Sequence, residues 1–154
     1  MTSTLQLYRT LADRPLGRRV FSVGYMLKAP YFASVRPWVV EMGPHRAVVQ
    51  LHKRRRVQNH LGTMHAIAVA NGMEAAMGLL AEATIDPGKR WIPRGIQLDY
   101  VAKARGDVRC VAQTDADDWD RLSPHEVRVR VSGALPDGTE VVRGFIPLWI
   151  TDAR

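Results

Sequence analysis

The chain has 154 residues, 46% of them apolar and 24% charged, which fits one globular domain large enough to bury a proper core. Its 22 Lys+Arg outnumber 15 Asp+Glu, a formal charge of +7 that favours polyanionic partners such as nucleic acid, anionic lipid or a phosphorylated cofactor. A single cysteine, Cys110, excludes an internal disulfide and any cysteine metal cluster; no tandem repeat or low-complexity segment is present. Arg9, Asp13 and Arg14 interrupt the N-terminus, which carries no continuous apolar core of a secretory signal, so the expected location is cytoplasmic.

In chain order, Thr4 to Ala12 has helical spacing through Leu5, Tyr8 and Leu11. Pro15-Leu16-Gly17 breaks it. Arg18 to Ala29 is a second helical segment, ending before Pro30. Residues 1–36 therefore read as a helical N-terminal extension, either a cover for the main body or a wall for an apolar ligand. Trp38 to Met42 and Arg46 to His52 are strands joined by the turn signal Gly43-Pro44-His45. The second runs into Lys53-Arg54-Arg55-Arg56.

Next comes Val57 to Glu82. Asn59-His60-Leu61-Gly62-Thr63 reads as a turn feeding a helix from Ala66 to Ala81, in which only Asn71 and Glu74 are clearly polar. A helix apolar on every side is expected to be buried on every side. It is short for a membrane span and carries an internal carboxylate, so no membrane partner is expected. Glu74 is then neutral, paired or working. Asp86-Pro87-Gly88 turns the chain into four further strands: Trp91 to Ala104, Val108 to Thr114, His125 to Ala134 and Glu140 to Ile150. In the first of these, Ile96, Leu98 and Tyr100 share one side. In the third, Val127, Val129 and Val131 alternate with Arg128, Arg130 and Ser132.

One long apolar helix and about six antiparallel strands bury each other only if the sheet curls around the helix. That is an α+β hotdog fold, with residues 37–154 as its core in a single domain spanning 1–154. One copy leaves a sheet edge and one side of the helix uncovered, so a homodimer or dimer of dimers is expected.

Asn59-x-x-Gly62-x-x-His65, with Glu74 nine residues on, resembles the signature of hotdog-fold acyl-CoA thioesterases, including the phenylacetyl-CoA and 4-hydroxybenzoyl-CoA types. The longer string Arg54 to Ala66 is similar to a little-characterised bacterial branch known only as a domain of unknown function, DUF4442. The family's Gly-Gly after the histidine is Ala66-Ile67 here. The resemblance implies hydrolysis of an acyl-CoA or acyl-carrier thioester, with no cofactor beyond the coenzyme A of the substrate and no metal. It implies the backbone N–H of Ala66 as oxyanion donor, where a helix start offers free amides. It implies Glu74 as general base or nucleophile, and Asn59 as a residue holding water or thioester, against a plain turn role. It leaves His65 at the site edge or orienting the helix start. Gly62, Thr63 and Asn71 are further candidate contacts, Asn71 lying one turn before Glu74 and able to bond it.

The nine residues from His65 to Glu74 advance about 13.5 Å and rotate roughly 900°. An amide at Ala66 and a carboxylate at Glu74 are thus expected to face opposite ways in one chain and to meet across a dimer, as the family's trans-subunit sites do. Arg54, Arg55, Arg56, Lys103 and Arg105 are candidate partners for the phosphates of coenzyme A. No recognition helix or aromatic-rich basic strand accompanies them, so no nucleic-acid partner is expected. Met26, Tyr31, Phe32 and Trp38 suggest an apolar acyl group, medium-chain or aromatic. Two other functions fit the same residues. One is an acyl-thioester dehydratase or hydratase using His60 with Glu74. The other is a non-catalytic dimer that binds an acyl thioester or lipid.

Overall fold

The structure, a computed structural model, describes residues 3–153. Two helices open the chain, α1 (Ser3–Ala12) and α2 (Gly17–Lys28), followed by a 3-10 turn at Pro30–Ser34. The hairpin β1 (Trp38–Gly43) and β2 (Arg46–Leu51) leads to the central helix α3 (Ala66–Thr84). Five strands follow: β3 (Lys89–Pro93), β4 (Gln97–Tyr100), β5 (Val108–Gln113), β6 (His125–Ala134) and β7 (Glu140–Asp152). Apart from the strand expected over Trp91 to Ala104, the expected helices and strands are present with small shifts at the ends, and α3 runs three residues beyond its expected end at Ala81.

The antiparallel sheet has the order β1-β2-β5-β6-β7-β3, and β4 continues beside β3 along β7. Its concave face closes on α3. Met73, Met77, Leu79 and Leu80 are among its fully buried residues, each worth about 1.5–3 kcal/mol in burial. The inward valines of β6, Val127, Val129 and Val131, meet them as the alternation requires. Gly72 sets how closely helix and sheet approach: a Cβ there would lie 2.6 Å from Leu51 Cδ1 and 2.7 Å from Cys110 Sγ. Cys110 is fully buried on β5, where burial pushes its thiol well above the usual range.

One expectation is corrected. The strand foreseen from Trp91 to Ala104 is two strands. Pro93 pairs with Leu148 and Gln97 with Phe145, so four steps on one side oppose three on the other. The extra residue is a bulge at 94–96, which Arg94 holds by donating its N–H to the Pro147 carbonyl at 2.9 Å. The bulge switches sides: Trp91 and Leu98 are both the half-buried, inward residues although their numbers differ in parity.

The two sheet edges differ. At β1, Val39 N–H donates to Ser22 Oγ at 2.9 Å, and Tyr8 Oη donates to the Val40 carbonyl at 3.1 Å. Tyr8 in turn packs edge-to-face on Phe21, with ring centroids 5.1 Å apart. The β3–β4 edge has no such cover, and Ile92, Ile96, Tyr100 and Val101 are exposed along it. No described helix is long and apolar enough to cross a membrane.

Candidate active site on the open stripe of the central helix

The loop before α3 is held by its own side chains. Val57 and Met64 are buried anchors, and His65 N–H donates to the Val57 carbonyl at 2.7 Å. Asn59 Oδ1 accepts from the N–H groups of Leu61 (3.0 Å) and Thr63 (3.2 Å), and Asn59 Nδ2 donates to Thr63 Oγ1 at 3.0 Å. Both polar atoms of Asn59, and the hydroxyl of Thr63, are thus engaged in shaping the turn. Gly62 adopts φ +71°, the left-handed conformation that a β-carbon disfavours.

His65 caps the helix: its Nδ1 accepts from Ile67 N–H at 3.1 Å. Among the described residues the Ala66 N–H makes no hydrogen bond. It is a free donor at the positive end of α3. Tyr100 Oη donates to the Ala66 carbonyl at 3.1 Å, and burial raises its hydroxyl above the usual range. The helix start is therefore braced from both sides, by His65 and by the inward face of β4.

Two expectations about α3 are corrected here. It is not buried all round: Ile67, Ala70 and Glu74 form a stripe left open by the sheet, and Glu74 is exposed. Ile67 and Glu74, seven residues apart, lie within about 20° of each other around the helix, and Ala66 lies about 80° from Glu74, so the donor end and the acid do not face opposite ways. From Ala66 the acid is eight residues on, about 12 Å along the axis. That distance alone keeps both from gripping one carbonyl carbon. Asn71 is buried, and among the described residues no hydrogen bond joins it to Glu74.

Glu74 stands where two cavities meet. The larger, about 380 Å3, is walled by Tyr25 and Phe32 on one side, Trp91 and Pro93 on the other, and floored by Met77 and Gly78. The smaller, about 230 Å3, runs past Pro93, Gly95 and Ile96 toward the open edge. At the far end of the larger one, Glu82 accepts from Trp91 Nε1 and Thr4 Oγ1, both at 3.3 Å. Of the four apolar residues expected to contact an acyl group, Phe32 lines this cavity; Met26, Tyr31 and Trp38 do not.

Tyr25, which sequence reasoning passed over, stacks on Phe32 with centroids 5.3 Å apart and donates to the Ala75 carbonyl at 3.3 Å. Burial, and then the nearby Glu74 and Glu82 carboxylates, push its hydroxyl far above the usual range, so it stays a donor. The available signal was Phe21 and Tyr25 four apart on one face of α2.

The cations flank the helix start. Arg54 Nη2 donates to the Ser34 carbonyl at 3.0 Å, and partial burial followed by repulsion from Arg36 and Arg56 lowers its pKa. Arg36, unmarked in the sequence, thus joins Arg54 and Arg56 in one cluster, with Arg55 exposed beside it. Lys103 and Arg105 straddle Ala104, whose carbonyl accepts from Met64 N–H at 2.8 Å next to His65. All five expected cations therefore sit on segments attached to the turn before α3. His60 is exposed on that turn.

Fold and site together define a hotdog domain with a carboxylate on the open stripe of its helix. The model of a family described as a domain of unknown function, DUF4442, matches residues 17–150. The chain belongs to that family. A protein solved by structural genomics under the label APC5556 is similar at 40% identity and TM-score 0.84, covering 97% of this chain and 99% of that one. A Pseudomonas aeruginosa protein, PA5026, described as a probable thioesterase, is 18% identical with TM-score 0.77, covering 84% and 91%. A thioesterase family protein from Silicibacter pomeroyi is 14% identical with TM-score 0.70, covering 86% and 96%. These last two share the fold. No curated protein matches the sequence.

Proposed function

We propose that the protein hydrolyses an acyl-CoA thioester in a site shared by two copies of the chain. The observation that carries this reading is the placement of Glu74, a carboxylate on the open stripe of an otherwise buried helix, at the mouth of an apolar cavity. The names of the structural relatives support it at the level of reaction class.

The acyl chain enters the cavity between Tyr25, Phe32 and Trp91. The thioester carbonyl rests beside Glu74, which removes a proton from the attacking water, or attacks directly to give a mixed anhydride that water then opens. The C–S bond breaks, and the coenzyme A thiolate leaves and takes up a proton. The oxyanion formed on the way accepts from the Ala66 N–H of the partner chain. That amide lies about 12 Å from Glu74 along one helix, whereas a second helix running the opposite way brings it alongside. Arg54, Arg55, Arg56, Lys103 and Arg105, joined by Arg36, hold the phosphates. The open β3–β4 edge supplies the surface on which a homodimer, or a dimer of dimers, assembles.

The test is release of free thiol from a panel of acyl-CoAs differing in chain length and aromaticity, with wild type beside Glu74→Ala. The reading expects wild-type hydrolysis of at least one member and a loss of about 100- to 10,000-fold in the variant, the range for a removed general base. No hydrolysis by wild type, with binding retained, replaces it by the binding-only dimer; full activity in Glu74→Ala removes Glu74 from the reaction.

A further inference from the structure

We infer that the outward face of α2 docks on an anionic membrane surface. Helix α2 buries Phe21 and Ser22. On the opposite side Val20, Val23 and Leu27, at positions i, i+3 and i+7, are 57%, 47% and 77% exposed. The centre of a solvent-facing stripe is where polar residues belong, and here it is aliphatic. Leu16 extends the stripe at 71% exposed, and Leu7 of α1 adds 54% across an apolar groove of about 590 Å3 between the two helices.

Charge chooses the occupant. Residues 1–36 hold six basic side chains against one acid, Asp13, and so account for most of the net charge of the chain. Arg14 and Arg19 are exposed beside the stripe and Lys28 beside the groove, and among the described residues none of the three enters an ion pair. Elsewhere four arginines are answered locally: Arg46 by Glu41, Arg121 by Asp118, Arg130 by Asp115 and Arg143 by Glu140. A second copy packed stripe to stripe would bring the unpaired cations against their own equivalents. An anionic lipid surface accepts both the aliphatic side chains and the flanking charges, the pattern of a helix lying in a membrane interface. The expectation of no membrane partner rested on the lack of a spanning segment, and a surface contact needs none. The surface stands independently of the proposed hydrolysis. If both hold, the wall of the acyl cavity, formed by Tyr25, Lys28 and Phe32, lies at the lipid boundary.

The test is co-sedimentation with vesicles of equal parts phosphatidylglycerol and phosphatidylcholine, and with phosphatidylcholine alone, at low and high salt. Wild type is expected to bind the anionic vesicles, weakly or not at all the neutral ones, and less as salt rises. The pair Val23→Ser/Leu27→Ser is expected to bind roughly tenfold more weakly, with unchanged melting temperature, elution volume and thioester hydrolysis. The pair Arg14→Gln/Arg19→Gln is expected to lose the preference for anionic lipid. Absence of wild-type binding overturns the inference. So does unchanged binding by the serine pair, which would assign attachment to the Arg54 cluster, and so does a changed oligomeric state in that pair, which would make the stripe a contact between copies.

Discussion

At one margin of the sheet, β1 is finished within the chain: Ser22 and Tyr8 take up its outward backbone groups and α2 lies along it. At the other margin, β3 and β4 carry the exposed Ile92 and Ile96, and among the described residues no helix covers them as α2 covers β1. Seven strands can wrap most of one helix and not all of it, and the gap falls on the stripe that carries Glu74. The covered edge is concerned with stability. The open edge and the open stripe lie together, which is where the proposed site needs a second chain.

Three variants separate these roles. Placing charges on the open edge with Ile92→Lys/Ile96→Lys is expected to convert the proposed dimer to monomer by light scattering. It should also lower thioester hydrolysis about 100-fold, because the partner's amide is lost. A surviving dimer would move the interface elsewhere. At the finished edge, Ser22→Ala leaves a buried Val39 N–H without its acceptor and is expected to cost about 1–3 kcal/mol. Tyr8→Phe should cost about 1 kcal/mol. Each kcal/mol appears as a melting shift of about 2–4 °C at this size, with the oligomeric state unchanged.

The smallest effect is at Asp107. Partial burial works to raise its pKa, but the Lys53 N–H and His52, each bonded at 2.7 Å, prevail and hold it below the usual carboxylate range. A depressed acid contributes stability above its unfolded pKa of about 3.9 and loses it as pH falls through the folded value. Acid unfolding curves of wild type and Asp107→Asn should therefore converge below about pH 4 and differ slightly above it.

The elements were legible where burial is one-sided and regular. β6 alternates cleanly because its inner valines face α3 and its outer arginines face water. The apolar run of α3 gave the helix, and the Asn59–His65 spacing gave its start. What composition could not tell was which side of α3 is left open, since small residues such as Ala70 read the same whether covered or not. The bulge escaped because an edge strand is exposed on so many positions that its alternation carries little signal; Pro93 and Gly95 were the only marks of it. The spacing of Phe21 and Tyr25 marked an inward face of α2, but that this face walls the cavity, and that Arg36 stands beside Arg54, follows from the folding of the N-terminal segment, which local spacing does not encode. The roles of Asn59 and His65 as turn clip and helix cap follow from hydrogen bonds that the motif shares with a substrate-holding role.

The bulge at 94–96 also makes chain length itself a determinant. One residue fewer there would restore simple alternation and turn every later side chain of the strand over. Leu98 would leave the helix, Tyr100 would release the Ala66 carbonyl, and Gln97 and Asp99 would face the start of α3 instead. Deleting one residue there is thus expected to disturb the helix start more than replacing any one side chain of the segment.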